Sequence, residues 1–305
     1  MTEKVNTYHI PVLREACIEG LNIHADGTYV DVTFGGGGHS RAIFENLNEQ
    51  GFLYGLDQDS DAKSNIWSAS NFEFIQSNFS FLSNQLRARK VDKVDGILAD
   101  LGVSSHQFDV PERGFSIRGQ ADLDMRMNKT ASTTAADLIN DYEEEVLVEI
   151  FKKYGEIKNA RKLASAIIQQ RVNQPIRTTQ EFIELLSNLA PKFKEHKYYS
   201  QVFQALRIEV NKELEVLESF LIQAADLLNP GGRLVIISYH SLEDRIVKNF
   251  MKRGNFEGVL KKDFYGNPIK PLSEVNRKPI TPDSNELTEN TRSRSAKLRI
   301  AEKNG

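Results

Sequence analysis

Apolar and polar positions fall into two rhythms along the chain. Up to about residue 101, short β-branched and aromatic runs alternate with stretches of helical period: an amphipathic helix Val12–Leu21, then strands Tyr29–Phe34, Phe52–Asp57, Phe72–Gln76 and Gly96–Leu101. Helices are expected between them at Ser40–Leu47, Ala62–Ala69 and Leu82–Ala88. This β-α-β-α order predicts a parallel sheet with right-handed crossovers. No further strand is evident until Arg233-Leu-Val-Ile-Ile-Ser238, which follows Asn229-Pro-Gly-Gly232. A crossover needs about a dozen residues, so the long intervening stretch calls for a separate structure.

Most of that stretch has helical period. Asp141 stands where it can cap Glu143–Tyr154, with Gly155 as its stop, and Asn159–Val172 ends before Pro175. Thr178-Thr-Gln-Glu181 is a capping box for a helix that ends before Pro191. The last helix, Ser200–Leu228, has a candidate break at Asn211. The pattern predicts an inserted all-helical subdomain over 109–197, with 1–108 and 198–305 forming the two parts of the sheet domain. Beyond strand five, a helix Leu242–Lys252 leads to β-rich stretches at Phe256–Phe264 and Ala296–Ala301. Asn267–Asn290, with four prolines, reads as a long loop.

The 305 residues are 40% hydrophobic and 27% charged, which fits a globular protein of one or two domains. One cysteine, Cys17, excludes an intrachain disulfide and suits a reducing compartment, and its apolar neighbours mark it as a buried thiol. The first residues lack the apolar core of a signal peptide, and no apolar run approaches the ~20 residues that span a bilayer. A cytoplasmic protein is expected. The net charge is −3, yet from Arg245 to Lys303 there are 14 Lys/Arg against 7 Asp/Glu. This basic end could meet phosphates or form a solvated surface.

The most telling segment is Tyr29-Val-Asp31-Val-Thr33-Phe-Gly35-Gly-Gly-Gly38-His39-Ser40. A strand runs into four glycines and then a helix, which is how an open α/β sheet makes room for a nucleotide-like cofactor. Asp57 stands 20 residues after Gly37, where a carboxylate can bond a ribose. Gly35, Gly37 and Ser40 match dinucleotide spacing with serine in third place, so a nicotinamide oxidoreductase stays open. Asp31 could meet a methionine ammonium, and Ser77-Asn-Phe79 could read and cover an adenine; both favour S-adenosylmethionine. A non-catalytic RNA-binding ribosome factor is the third alternative. The six histidines lack ligand spacing and no metal site is suggested.

Six further segments resemble one family. They are Asp100-Leu-Gly-Val-Ser-Ser105, Arg113-Gly-Phe-Ser116, Leu123-Asp-Met-Arg-Met127, Phe203-Gln-Ala-Leu-Arg207, Ser238-Tyr-His through Lys248, and Arg292-Ser-Arg through Arg299. Together with the glycine loop they are similar, in order and over almost the whole chain, to the bacterial small-subunit rRNA (cytosine-N4) methyltransferases, the MraW or RsmH family. The resemblance implies an α/β class I methyltransferase fold, Rossmann-like and doubly wound, with a helical insert. It implies methylation by S-adenosyl-L-methionine of a decoding-centre cytosine in 16S rRNA, within the small ribosomal subunit, by a protein that could be a homodimer. Carried over, Gly37, Gly38 and His39 would contact the cofactor, Asp57 would hold the ribose, Phe79 and Asp100 would line adenine and methionine, and Gln107 would close the pocket. None of these seven positions departs from the family. The glycine run does, with Thr33 where a first glycine often stands.

Amino-methylating enzymes often carry Asp/Asn-Pro-Pro-Tyr after strand four, and this chain has Asp100-Leu-Gly-Val instead. The catalytic acceptor of the amine protons is therefore left unassigned. His240 and Asp124 are candidates, each with an ordinary structural alternative. Arg113, Arg126 and Arg207 could bind phosphates or pair with carboxylates of the helical insert, while Arg292, Arg294, Lys297 and Arg299 could bind phosphates or form a solvated surface.

Overall fold

A computed structural model describes residues 11–305. The first residues, read above for a targeting signal, lie outside that range. The chain divides into two compact units, one of residues up to Gly102 together with Glu215–Gly305, the other Val103–Leu214.

The first unit begins with α1 (Arg14–Leu21), β1 (Thr28–Asp31), α2 (Gly38–Phe44), β2 (Phe52–Asp57), β3 (Phe72–Gln76), α3 (Leu82–Ala88) and β4 (Val94–Asp100). The four strands are parallel, with Val30 opposite both Tyr54 and Ile97. Their near-continuous apolar runs suit a sheet covered on both faces. The helix expected at Ala62–Ala69 is instead a 3-10 turn over Ser60–Asn65. Ile66 turns extended (φ −65°, ψ 139°), which lets Trp67 stack on Phe72 at 3.9 Å between centroids.

The second unit holds α4 (Ser105–Asp109), α5 (Ala135–Asp141), α6 (Glu144–Gly155), α7 (Ala160–Asn173), α8 (Thr179–Ser187) and α9 (Glu195–Asn211). Thr178 and Glu181 form the expected capping box. Asp141 ends α5 rather than capping α6, whose N-cap is Glu143. The unit runs wider than 109–197, because α9 packs on α5, α6 and α8. Phe203 of α9 lies 5.9 Å from Phe182, and the Gln204 side chain donates to the Tyr154 carbonyl at 2.9 Å. Lys212, at φ +52°, ends α9 next to the break expected at Asn211.

The chain then re-enters the first unit through α10 (Glu213–Leu227), β5 (Leu228–Ser238), α11 (Ser241–Arg253), β6 (Leu272–Glu274), α12 (Ser284–Glu289) and β7 (Lys297–Lys303). The strand order is β3-β2-β1-β4-β5-β7-β6. The sheet is mixed rather than purely parallel, since β7 runs antiparallel to both β5 and β6. This is an α/β sheet of Rossmann type with its last strand reversed, as the resemblance implies apart from that reversal. β5 begins earlier than expected, and a register shift between Val94 and Gly96 accommodates the Asn229-Pro-Gly-Gly stretch. Phe256–Phe264 is not a strand, because Phe256 stacks on Phe250 and Gly258 turns the chain at φ +74°. The expected loop Asn267–Asn290 contains both β6 and α12. No described helix is long and apolar enough to cross a membrane.

Candidate active site

Ligands of open α/β sheets bind outside the carboxyl ends of the strands. In this protein β1, β2 and β4 each end at that edge in an aspartate: Asp31, Asp57 and Asp100. The glycine run turns there, with Gly35 at φ +49° and Gly37 at φ +76°, and a Cβ built on Gly36 would meet nothing within 4 Å among the described residues. Among those residues, none covers the backbone beside Gly36 against a ligand.

The carboxylates organise the loop. Asp57 accepts from the Gly35 N–H and the Asp59 N–H, both at 2.8 Å. Asp31, fully buried, accepts from the Ser40 hydroxyl at 2.6 Å and from the Thr33 N–H at 3.0 Å. The Thr33 hydroxyl also donates to Asp31 at 3.2 Å and accepts the Asp100 N–H at 2.7 Å. The residue that departs from the usual loop thus ties β1 to β4, a role glycine lacks the side chain to fill. Asp100 accepts from the Tyr239 hydroxyl at 2.9 Å.

Burial pushes all three acids above the usual carboxylate range, Asp57 to about 6 and Asp100 to about 7. Their hydrogen bonds pull the other way, and the nearby Asp31 charge adds to the rise at Asp57 and Asp100. Such a cluster favours a cation or hydroxyl donors. His39 lies with its Nε2 3.7 Å from Asp100. Burial first, and the Arg14 charge second, lower its pKa to about 4, so it is neutral at pH 7 and forms no ion pair there. Neither imidazole nitrogen has a hydrogen-bond partner among the described residues. Those orphaned polar atoms, the open face at Gly36 and the desolvated acids fit a cationic, hydroxyl-bearing cofactor.

Of the residues expected here, Gly37, Gly38, His39, Asp57 and Asp100 meet at this corner. Phe79 follows β3, half-buried with its ring edge-on to Phe220 at 5.2 Å. Asn78 accepts from the Ser80 N–H and donates to Gln58, both at 2.8 Å. Gln107 belongs to the helical unit, where its side-chain oxygen accepts the Ser104 N–H at 3.0 Å in a capping box. The side chains of Thr33, Ser40 and Tyr239 join the site through their bonds to Asp31 and Asp100. The sequence signal for Tyr239 is its place one residue past β5, at the same sheet edge.

Arg113, Arg126 and Arg207 make their contacts within the helical unit, whereas Arg292 and Arg294 at the C-terminus are exposed. Arg113 donates to the carbonyls of Arg126 and Met127 at 2.9 and 3.1 Å. Arg126 forks onto Asp124, which holds that carboxyl below its usual range despite partial burial, and Arg207 forks onto Glu213. These pairs brace the helical unit. His240 is the N-cap of α11, its Nδ1 accepting the Glu243 N–H at 3.4 Å. At the C-terminus, buried Arg299 and the partly exposed Lys297 share Asp244. Cys17 is buried and its thiol pKa is raised well above normal, chiefly by burial.

The sequence profile of the MraW methylase family matches residues 6–304. The chain belongs to that family. It is 59% identical over 297 residues to the ribosomal RNA small subunit methyltransferase H of Bacteroides thetaiotaomicron, covering 97% of this chain and 98% of that protein. The protein of that name from Cytophaga hutchinsonii is 56% identical over 298 residues, covering 97% and 99%. Membership makes the protein a methyltransferase and removes the nicotinamide oxidoreductase and the non-catalytic RNA-binding factor from consideration.

Proposed function

We propose that this MraW-family enzyme methylates the exocyclic N4 amine of a decoding-centre cytosine in 16S rRNA, within the small ribosomal subunit. S-adenosyl-L-methionine, when bound, supplies the electrophilic methyl group. The observation that supports this reading is the trio of desolvated aspartates around an open glycine backbone. Asp57 is suited to accept from ribose hydroxyls, while Asp31 and Asp100 balance the positive charge of the methionine part. Gly37, Gly38 and His39 form the loop wall, and Phe79 flanks the adenine.

Cytosine N4 is a weak nucleophile because its lone pair is delocalised into the ring. The protein's main contribution is alignment, which in well-oriented reactions is worth about 7–11 kcal/mol. The target base must also be presented unpaired or extruded. The test combines titration calorimetry with nucleoside mass spectrometry of small subunits from cells lacking the protein. Binding of S-adenosylmethionine, and N4-methylcytidine restored by the purified enzyme, are the expected results. No heat of binding and no restored nucleoside would refute the reading.

A further inference from the structure

A second feature of the sheet-bearing unit lies away from the glycine corner, between α11 and β6. Residues 261–269 close into a small hairpin. Lys262 and Pro268 form an antiparallel bridge, the Ile269 N–H donates to the Lys261 carbonyl at 2.9 Å, and the Asp263 N–H donates to the Asn267 carbonyl at 2.9 Å. Asp263 also braces the turn through its side chain, which accepts from the backbone N–H groups of Tyr265 and Asn267 at 2.9 and 2.8 Å. These bonds hold its carboxyl below the usual range. A turn tied this densely presents its tip in one conformation.

At that tip Phe264 is 97% exposed and Tyr265 85% exposed, their rings edge to face at 5.6 Å. Val259, Leu260 and Ile269 nearby are exposed as well. Single exposed apolar side chains are ordinary, but adjacent ones on an ordered turn mark a contact surface. The surroundings are cationic. Between Lys252 and Lys278 seven Lys/Arg face three Asp/Glu, and one of the three is Asp263, already engaged in the turn. Lys261, Lys262 and Lys270 have no carboxylate partner among the described residues.

We propose that this hairpin is a stacking platform for unpaired bases of the RNA substrate, with the flanking lysines on its phosphates. The proposal rests on the RNA-methylating reading above and adds where the RNA is held. Aromatic faces accept any base, and lysines beside them follow the backbone. A protein partner fits less well, because the cores of protein–protein interfaces are depleted in lysine.

The test measures fluorescence anisotropy of a labelled single-stranded RNA of about twelve nucleotides, and methyl transfer to unmethylated small subunits. The double variant F264A/Y265A should bind the RNA about tenfold or more weakly. Its KM for subunits should rise while kcat and the affinity for S-adenosylmethionine hold. The double variant F264Y/Y265F keeps both rings and should bind as the parent does. K261A/K262A should flatten the dependence of log affinity on log salt by about 1.4. Unchanged RNA affinity in F264A/Y265A overturns the proposal. A defect confined to assembled subunits, with naked RNA bound normally, overturns it in favour of a protein contact; a change only in self-association does so in favour of a second copy. If the parent protein proved inactive, the methyl-transfer reading would fail, and the anisotropy would still decide the hairpin.

Discussion

The Tyr239 hydroxyl donates to Asp100 Oδ1 at 2.9 Å, joining the residue just past β5 to the end of β4. Asp100 stands at about 7 because burial raises it, and the Tyr239 bond opposes that rise. Removing the hydroxyl in Tyr239→Phe should push the Asp100 pKa further up. The acid limb of S-adenosylmethionine affinity against pH should then move to higher pH. Isothermal titration between pH 5 and 9 measures this, and an unmoved limb would separate Asp100 from the cofactor.

The raised acids also set the sign of stability against pH. A carboxylate whose folded pKa lies above its unfolded value of about 3.9 stabilises most below that value and loses the contribution as pH rises through the folded pKa. Asp57 and Asp100 should therefore make the ligand-free protein lose stability between about pH 4 and 7. Asp100→Asn should recover about 1–2 kcal/mol at pH 8, the figure being reduced for the side chain's partial exposure. The same variant should weaken S-adenosylmethionine binding. Denaturant melts at pH 5 and pH 8, with and without cofactor, give both answers.

Ser40 offers a more local test. Its hydroxyl reaches the fully buried Asp31 at 2.6 Å. Ser40→Ala leaves that acid short of a donor, at a cost of about 1.5–3 kcal/mol, and raises its pKa further. Urea unfolding of the variant should show the loss, and an unchanged midpoint would mean the acid is neutral in the parent.

In the helical unit Gly114 sits at φ +71°, and a Cβ there would lie 2.5 Å from the Asp122 carbonyl oxygen and 2.7 Å from the Asp124 nitrogen. Both neighbours are backbone and cannot swing aside. Gly114→Ala should destabilise the protein by about 2 kcal/mol or more, read as a lowered Tm.

Glu156 presents the opposite case. It is exposed, caps α6 at φ +53°, and carries a side chain where glycine is the usual occupant. Glu156→Gly should stabilise by about 1 kcal/mol, which thermal melts at fixed pH would detect.

Features local along the chain were legible in the sequence. The strands Phe52–Asp57 and Phe72–Gln76, the Thr178 capping box and the glycine corner depend on alternation, caps and backbone freedom within a few residues. They needed no knowledge of distant neighbours. The arginines were ambiguous for the converse reason. Whether Arg207 meets phosphate or Glu213, or Arg299 meets RNA or Asp244, depends on which acid the fold carries to it.

The amino-acid order by itself determined a strand–glycine–helix corner with aspartates at its strand ends, a helical insertion and the family's motifs. Only the tertiary structure decided that Thr33 bridges two strands, that Tyr239 reaches an acid 139 positions away, and that Phe264 and Tyr265 face water. The reason is physical: propensity and periodicity act over one or two turns of chain. Desolvation and side-chain pairing arise only when folding closes long loops and takes particular groups out of water.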